Sequence, residues 1–89
     1  MKLEYRNNNL TLKVLTSASA SSVLSFYSRN REQFDRYETD KPDNFYTEEF
    51  IQNLLTAEYN SFISGKHIRF FLFDENYPGE IIGTISFSD

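Results

Sequence analysis

The sequence predicts an α+β domain in which two helices pack on a three-stranded antiparallel sheet, the elements running strand, helix, helix, strand, strand. Three observations predict it. Residues 10–15 alternate apolar and polar side chains, residues 50–63 carry a long helical apolar stripe, and two β-rich runs flank a turn at residues 74–80. A chain of 89 residues supports one hydrophobic core, so residues 1–89 are read as a single domain.

The first strand, Leu-Thr-Leu-Lys-Val-Leu, places Leu10, Leu12 and Val14 on one face. Small hydroxyl residues at 16–22 then offer N-caps to a helix carrying Ala20, Val23, Leu24 and Tyr27 at three-and-four spacing, which ends near Asn30. Residues 35–46 break the pattern with Pro42 and several Asx residues and read as a loop of about a dozen residues, long enough to suggest a functional role. The second helix opens after Thr47 with Glu48 and Glu49, whose charges suit the positive end of the helix dipole. Phe50, Ile51, Leu54, Leu55, Tyr59, Phe62 and Ile63 form its apolar face, and Gly65 stands where a C-terminal cap is expected. Residues 68–73 and 81–88 are the two closing strands, joined through Asn76, Pro78 and Gly79.

Composition narrows the chemistry. Nine Phe and six Tyr with no Trp predict an aromatic core, and the absence of Cys removes disulfides, thiolate nucleophiles and Cys-ligated zinc. A net charge of −4 spread along the chain opposes a phosphate-backbone partner, so no nucleic acid is expected. No apolar run approaches the roughly 20 residues that span a bilayer, and no signal-peptide core is visible, which points to a cytoplasmic protein without a membrane partner.

Few motifs suggest a site. The turn at 74–80 gathers acidic residues but lacks the ligand spacing of a calcium loop, and His67 is the only histidine, so no metal is expected. The serines at 17–22 have no base within sequence reach and are read as helix caps. Gly65, Gly79 and Gly83 are isolated and cannot build a phosphate-cradling loop. Glu38, Asp40 and Asp43 lie beside Tyr37, Phe45 and Tyr46. That group could hold a cationic amine, but a solvated acidic loop whose aromatics cover the second helix is the simpler reading.

Three segments carry a resemblance: the opening strand at 10–15, Ser-Arg-Asn-Arg-Glu at 28–32, and Glu-Ile-Ile-Gly-Thr-Ile-Ser-Phe at 80–87. Together they resemble the N-terminal half of the GNAT superfamily. Asn30 to Glu32, Phe-Tyr-Thr-Glu-Glu at 45–49 and Ile-Gly-Thr-Ile at 82–85 are similar to the ribosomal-protein-alanine N-acetyltransferase family within it.

The resemblance implies acetyl transfer from acetyl-CoA to a primary amine, often a protein N-terminus, by direct attack on the thioester. In that family the pyrophosphate loop follows a fourth strand, which this sequence does not reach, so the chain is expected to be an acceptor-side half without tight acetyl-CoA binding or activity of its own. The family leaves the catalytic residues here unassigned. It places the acceptor cleft at the loop between the helices, which maps to Asn30, Arg31, Glu32, Tyr37, Phe45 and Tyr46. The open edge of the strand at 81–88 is expected to pair with a second copy as a homo-oligomer. The alternative is a non-catalytic interaction or dimerisation module with the same order of elements.

Overall fold

The computed structural model describes residues 3–37, 41–77 and 79–88, with the side chain of Tyr37 outside the described set. It begins with a hairpin. β1 (Glu4–Asn7) pairs antiparallel with β2 (Leu10–Lys13), Glu4 opposite Lys13 and Asn7 opposite Leu10. The connection is Asn8-Asn9, and Asn8 adopts φ 56°, a left-handed conformation that Asn tolerates better than most residues.

The expected three-stranded sheet is therefore corrected to four strands in the spatial order β1-β2-β3-β4, with the helices inserted between β2 and β3. Glu-Tyr-Arg-Asn shows no apolar alternation because all four positions are exposed, so backbone pairing to β2 specifies this strand. Lys13 also reaches Glu4 at 3.8 Å, an exposed pair that contributes little.

A 3₁₀ turn at Ser17–Ser19 leads into α1 (Ala20–Arg29), and neither Thr16 nor Ser19 caps it through its side chain. The hydroxyl-rich run thus serves as a tight turn, with the Ser19 amide donating to the Thr16 carbonyl at 2.9 Å. α1 buries Ala20, Val23, Phe26 and Tyr27. A short helix absent from the expectation, α2 (Arg31–Tyr37), follows and takes the first residues of the supposed loop. It carries the ion pairs Arg31–Asp35 and Glu32–Arg36, both at the i,i+4 spacing that supports a helix.

α3 (Glu48–Ile63) follows the sequence expectation at both ends. The Thr47 hydroxyl accepts from the Phe50 amide at 3.2 Å. Beyond the C-terminus the Gly65 amide donates to the Phe62 carbonyl and the Lys66 amide to the Ser61 carbonyl, the paired bonds of a Schellman ending, with Gly65 at φ 73°. Ile51 and Leu55 are completely buried, whereas Ile63, assigned to the same apolar face, is 66% exposed in the last turn.

β3 (His67–Asp74) and β4 (Ile81–Ser88) form a long antiparallel pair with an irregularity at Leu72/Phe73, where Phe73 faces Ile81 and Leu72 faces Gly83. The core lies between the sheet and α1 with α3, and joins Val23, Ile51, Leu55, Phe71 and Ile81. On the opposite face Phe70 meets Tyr5 edge-on at 5.7 Å and Phe87 at 6.4 Å, and Ile85 and Phe87 remain 40% and 56% exposed.

These burial values set an expected outcome. Leu55→Ala should cost about 2–5 kcal/mol because it opens a cavity in the packed core, while Ile63→Ala should change stability by less than about 0.5 kcal/mol. Urea denaturation of both variants checks the contrast; equal losses would mean that the last turn of α3 is packed after all.

Candidate functional site

The chain enters a cleft where the α1–α2 junction stands away from α3 and the β3–β4 pair, enclosing a cavity of about 540 Å³. Aromatic side chains make one wall. Tyr27 and Phe34 meet edge to face at 4.7 Å, and Phe45 lies 5.6 Å from Tyr27 and 5.2 Å from Phe50. These rings pack on α1 and α3, so the aromatics of the long loop do cover the second predicted helix.

The opposite wall is polar. Glu58 of α3 and Arg69 of β3 both line the cavity, and Arg69 Nε donates to Glu58 Oε2 at 2.8 Å. Arg69 Nη1 also donates to Thr84 Oγ1 at 3.2 Å, and that hydroxyl donates onward to the Phe70 carbonyl at 3.1 Å. The guanidinium is thereby fixed between a helix and two strands. Glu58 keeps only 15% of its side chain exposed, and its second oxygen, Oε1, is buried without a hydrogen-bond partner. Burial pushes the Glu58 carboxyl above the ordinary glutamate range, and the Arg69 guanidinium opposes that rise.

At the rim Asp35 of α2 collects its neighbours. Lys41 Nζ lies 3.0 Å from Asp35 Oδ1 and Tyr46 Oη donates to the same oxygen at 2.9 Å, while Arg31 Nε stands 3.6 Å from Oδ2. The bond from Lys41, then the bond from Tyr46, holds the Asp35 carboxyl below its usual value; burial and then the bond to Asp35 push the Tyr46 phenol up. Arg31 also stacks its guanidinium 4.4 Å from the Tyr46 ring centre.

The residues predicted from the sequence fall into separate places. Asn30 and Phe45 line the cavity, where Asn30 Nδ2 donates to the Phe26 carbonyl at 2.8 Å and so closes α1. Arg31 and Tyr46 belong to the Asp35 cluster at the rim. Glu32 is 93% exposed and faces Arg36 at 3.7 Å, away from the cavity. The side chain of Tyr37 lies outside the described residues, as do Glu38 and Asp40 of the acidic group. His67 sits at the start of β3 with Nδ1 at 2.6 Å from Ser88 Oγ, a strand-end contact. Among the described residues no three acidic, Cys or His side chains gather as a metal site. In the hairpin turn Asp74 Oδ1 accepts from the Asn76 amide at 2.8 Å, an ordinary Asx turn.

Sequence reasoning missed Glu58, Arg69 and Thr84. A signal existed: Glu58 falls one helical step after Leu55 on the stripe that buries Ile51, and Arg69 shares its strand face with Phe71 and Phe73. Two opposite charges each interrupting an apolar period mark a buried pair.

Two solved structures have this architecture. Ribosomal-protein-S5-alanine acetyltransferase from Vibrio fischeri superposes with a TM-score of 0.82 at 22% identity, over 99% of this chain and 48% of its own. A putative ribosomal-protein-serine acetyltransferase from Vibrio cholerae superposes at 0.74 with 11% identity, over 97% of this chain and 47% of its own. The chain has the fold of about half of each of these acetyltransferase structures and spans about half their length. No family model and no curated protein sequence matches the chain.

The Glu58 environment gives a signed expectation. With its folded value above the unfolded one, the folded state holds an extra proton between the two, so this carboxyl's contribution to stability falls as pH rises through that window. A ¹³C carboxyl titration should place Glu58 above a glutamate in an unstructured peptide, and Arg69→Met should raise it further by removing the opposing charge. A wild-type midpoint at or below the peptide value would contradict the buried geometry.

Proposed function

We propose that this chain is the acceptor-side part of an N-acetyltransferase that transfers an acetyl group from acetyl-CoA to a primary amine, with a protein N-terminus as the acceptor class. The observation that carries this reading is the superposition at a TM-score of 0.82 over 99% of the chain, on a structure named for acetylating alanine of ribosomal protein S5. The second similar structure is named for serine of a ribosomal protein. A cleft with an aromatic wall and a polar wall suits a peptide end, which brings an apolar body and a polar nitrogen together.

In this reading Asn30, Phe45, Arg31 and Tyr46 contact the acceptor directly or through the rim, Glu32 meets the part of it that extends beyond the cleft, and Tyr37 stays an acceptor contact on the sequence alone. The residues present do not fit the cofactor side. Gly65 lies past the end of α3, Gly79 in the β3–β4 turn and Gly83 within β4, so no two glycines share a loop of the kind that cradles a pyrophosphate. Acetyl-CoA is accordingly the co-substrate of the whole enzyme and a weak ligand of these 89 residues.

A second reading, a dimerisation module, is favoured by one feature. β4 lies at the end of the strand order, and Ile82, Ile85 and Phe87 are exposed along it, the arrangement that invites pairing with another strand. The two readings meet at β4, since Ile82, Gly83 and Thr84 of that strand also line the cleft.

Calorimetry should find no acetyl-CoA binding to residues 1–89 in the micromolar range, and acetylation of Ala- and Ser-initiated peptides should require the open reading frame in which these residues are carried. Micromolar binding by the 89 residues alone, or no transfer by the product of that frame, would overturn the assignment. Sedimentation should show a dimer at high micromolar concentration that Ile85→Lys disrupts; a monomer throughout would remove the second reading.

A further inference from the structure

Of the helices and strands, α2 has only α1 as a neighbour, although its residues Gln33 and Phe34 line the cavity. Arg31, Glu32, Gln33, Asp35 and Arg36 are exposed. Among the described side chains of α2 only Phe34 turns inward, meeting Tyr27 at 4.7 Å and Phe26 at 5.8 Å. One apolar anchor is little for a helix of seven residues, because short helices take their stability from packing.

Asp35 is the second hold. Its Oδ1 accepts from Tyr46 Oη at 2.9 Å and lies 3.0 Å from Lys41 Nζ, so one carboxylate ties the helix to both ends of the segment 41–46 that leads into α3. Exposed ion pairs as a rule contribute little. This one differs, since the Lys41 side chain is only 12% exposed, stands 5.7 Å from the Phe45 ring centre and donates to the Phe34 carbonyl at 3.0 Å. A mostly buried ammonium strongly favours a carboxylate beside it, and with that carboxylate removed the cation gains by turning out to water. Lys41 and Phe45 line the cavity from the loop side, as Gln33 and Phe34 do from α2. The Asp35 contact therefore joins two lips of one cavity.

The other end of α2 has what a hinge needs. α1 closes and α2 opens on the same residue, Asn30, whose amide donates to the Phe26 carbonyl at 3.2 Å and whose carbonyl accepts from the Phe34 amide at 3.0 Å. Its φ of −110° and ψ of 22° lie outside the helical range, so the two helices are joined by a single non-helical residue.

We propose that α2 is a lid over the cleft, hinged at Asn30 and latched by Asp35 through Lys41 and Tyr46. That the lid gates an amine acceptor rests on the acetyltransferase reading; the opening itself does not.

The test needs no ligand. In the 89-residue chain Lys41→Met and Tyr46→Phe are combined, two substitutions that lie outside α2. Amides 34–36 should then exchange with solvent about tenfold faster. A soluble nitroxide should broaden the methyl signals of Leu54, which lines the cavity, about twofold more than in the wild type, while the Leu55 amide and the methyls of Val23, sealed in the core, stay unchanged. Glu32→Gln removes an ion pair within α2 but no tie to the loop, and should leave both readouts as they are in the wild type. Unchanged exchange in the double variant, faster exchange with no greater access to Leu54, or an equal response to Glu32→Gln would each overturn the lid. If the double variant loses its core, Asp35→Asn carries the same comparison against Glu32→Gln, and loss of the core there too would overturn the lid by making the contact part of the scaffold. Opening on loss of the latch without acetyl transfer by the product of the full reading frame would keep the lid and end the transferase reading, whereas transfer with α2 fixed in place would do the reverse.

Discussion

The seating of α3 on β3 is the contact on which the rest of the molecule depends. Ile51 and Leu55 lose all their exposed surface where the helix crosses the sheet, and Phe71 receives them from β3. One helical step further along the same line, the apolar contact gives way to the Glu58–Arg69 pair. The hydrophobic part of the contact supplies the free energy, since each fully buried side chain of this size contributes about 1.5–3 kcal/mol. The ionic part supplies little net stability once desolvation is counted. Its effect is positional: it pins the end of the helix to one point on β3 and β4.

The rim and the interior handle charge differently. Asp35 collects two cations and a phenol at the surface, where solvent screens them, and it closes the approach between α2 and the loop that follows. Glu58 sits deeper with a single cation at one oxygen, and its other oxygen is buried.

Much of this was legible in the sequence. The limits of α3 were written in Thr47, the paired glutamates and Gly65, because local capping chemistry decides them. The long β3–β4 pair was written in its β-branched and aromatic runs. β1 was not legible, since an exposed strand has no periodic pattern to show and exists only because β2 offers it an edge. α2 was hidden because its supports are ion pairs rather than an apolar stripe, and a search for hydrophobic spacing passes over them. The site was half legible: the loop aromatics announced a wall, but Glu58 and Arg69 announced themselves only as interruptions, and their meeting is a property of how helix and strand are stacked.

The irregularity between Leu72 and Phe73 has consequences for both surfaces of the sheet. From Gly83 onward every residue of β4 sits opposite a partner one place removed from where uninterrupted pairing would put it, since Phe73 faces Ile81 while Leu72 faces Gly83. In an unbroken ladder Thr84 would oppose Phe70 and point away from the helices, and Ile85 would oppose Arg69. The single extra residue, Ile82, thus works as a parity switch: it turns the hydroxyl of Thr84 inward to anchor the guanidinium and sends Ile85 and Phe87 to the far side. Pairing Ile82 with Leu72 instead of bulging it would exchange the two linings, leaving grease against the arginine and hydroxyls on the outside, with the composition of the strand unaltered.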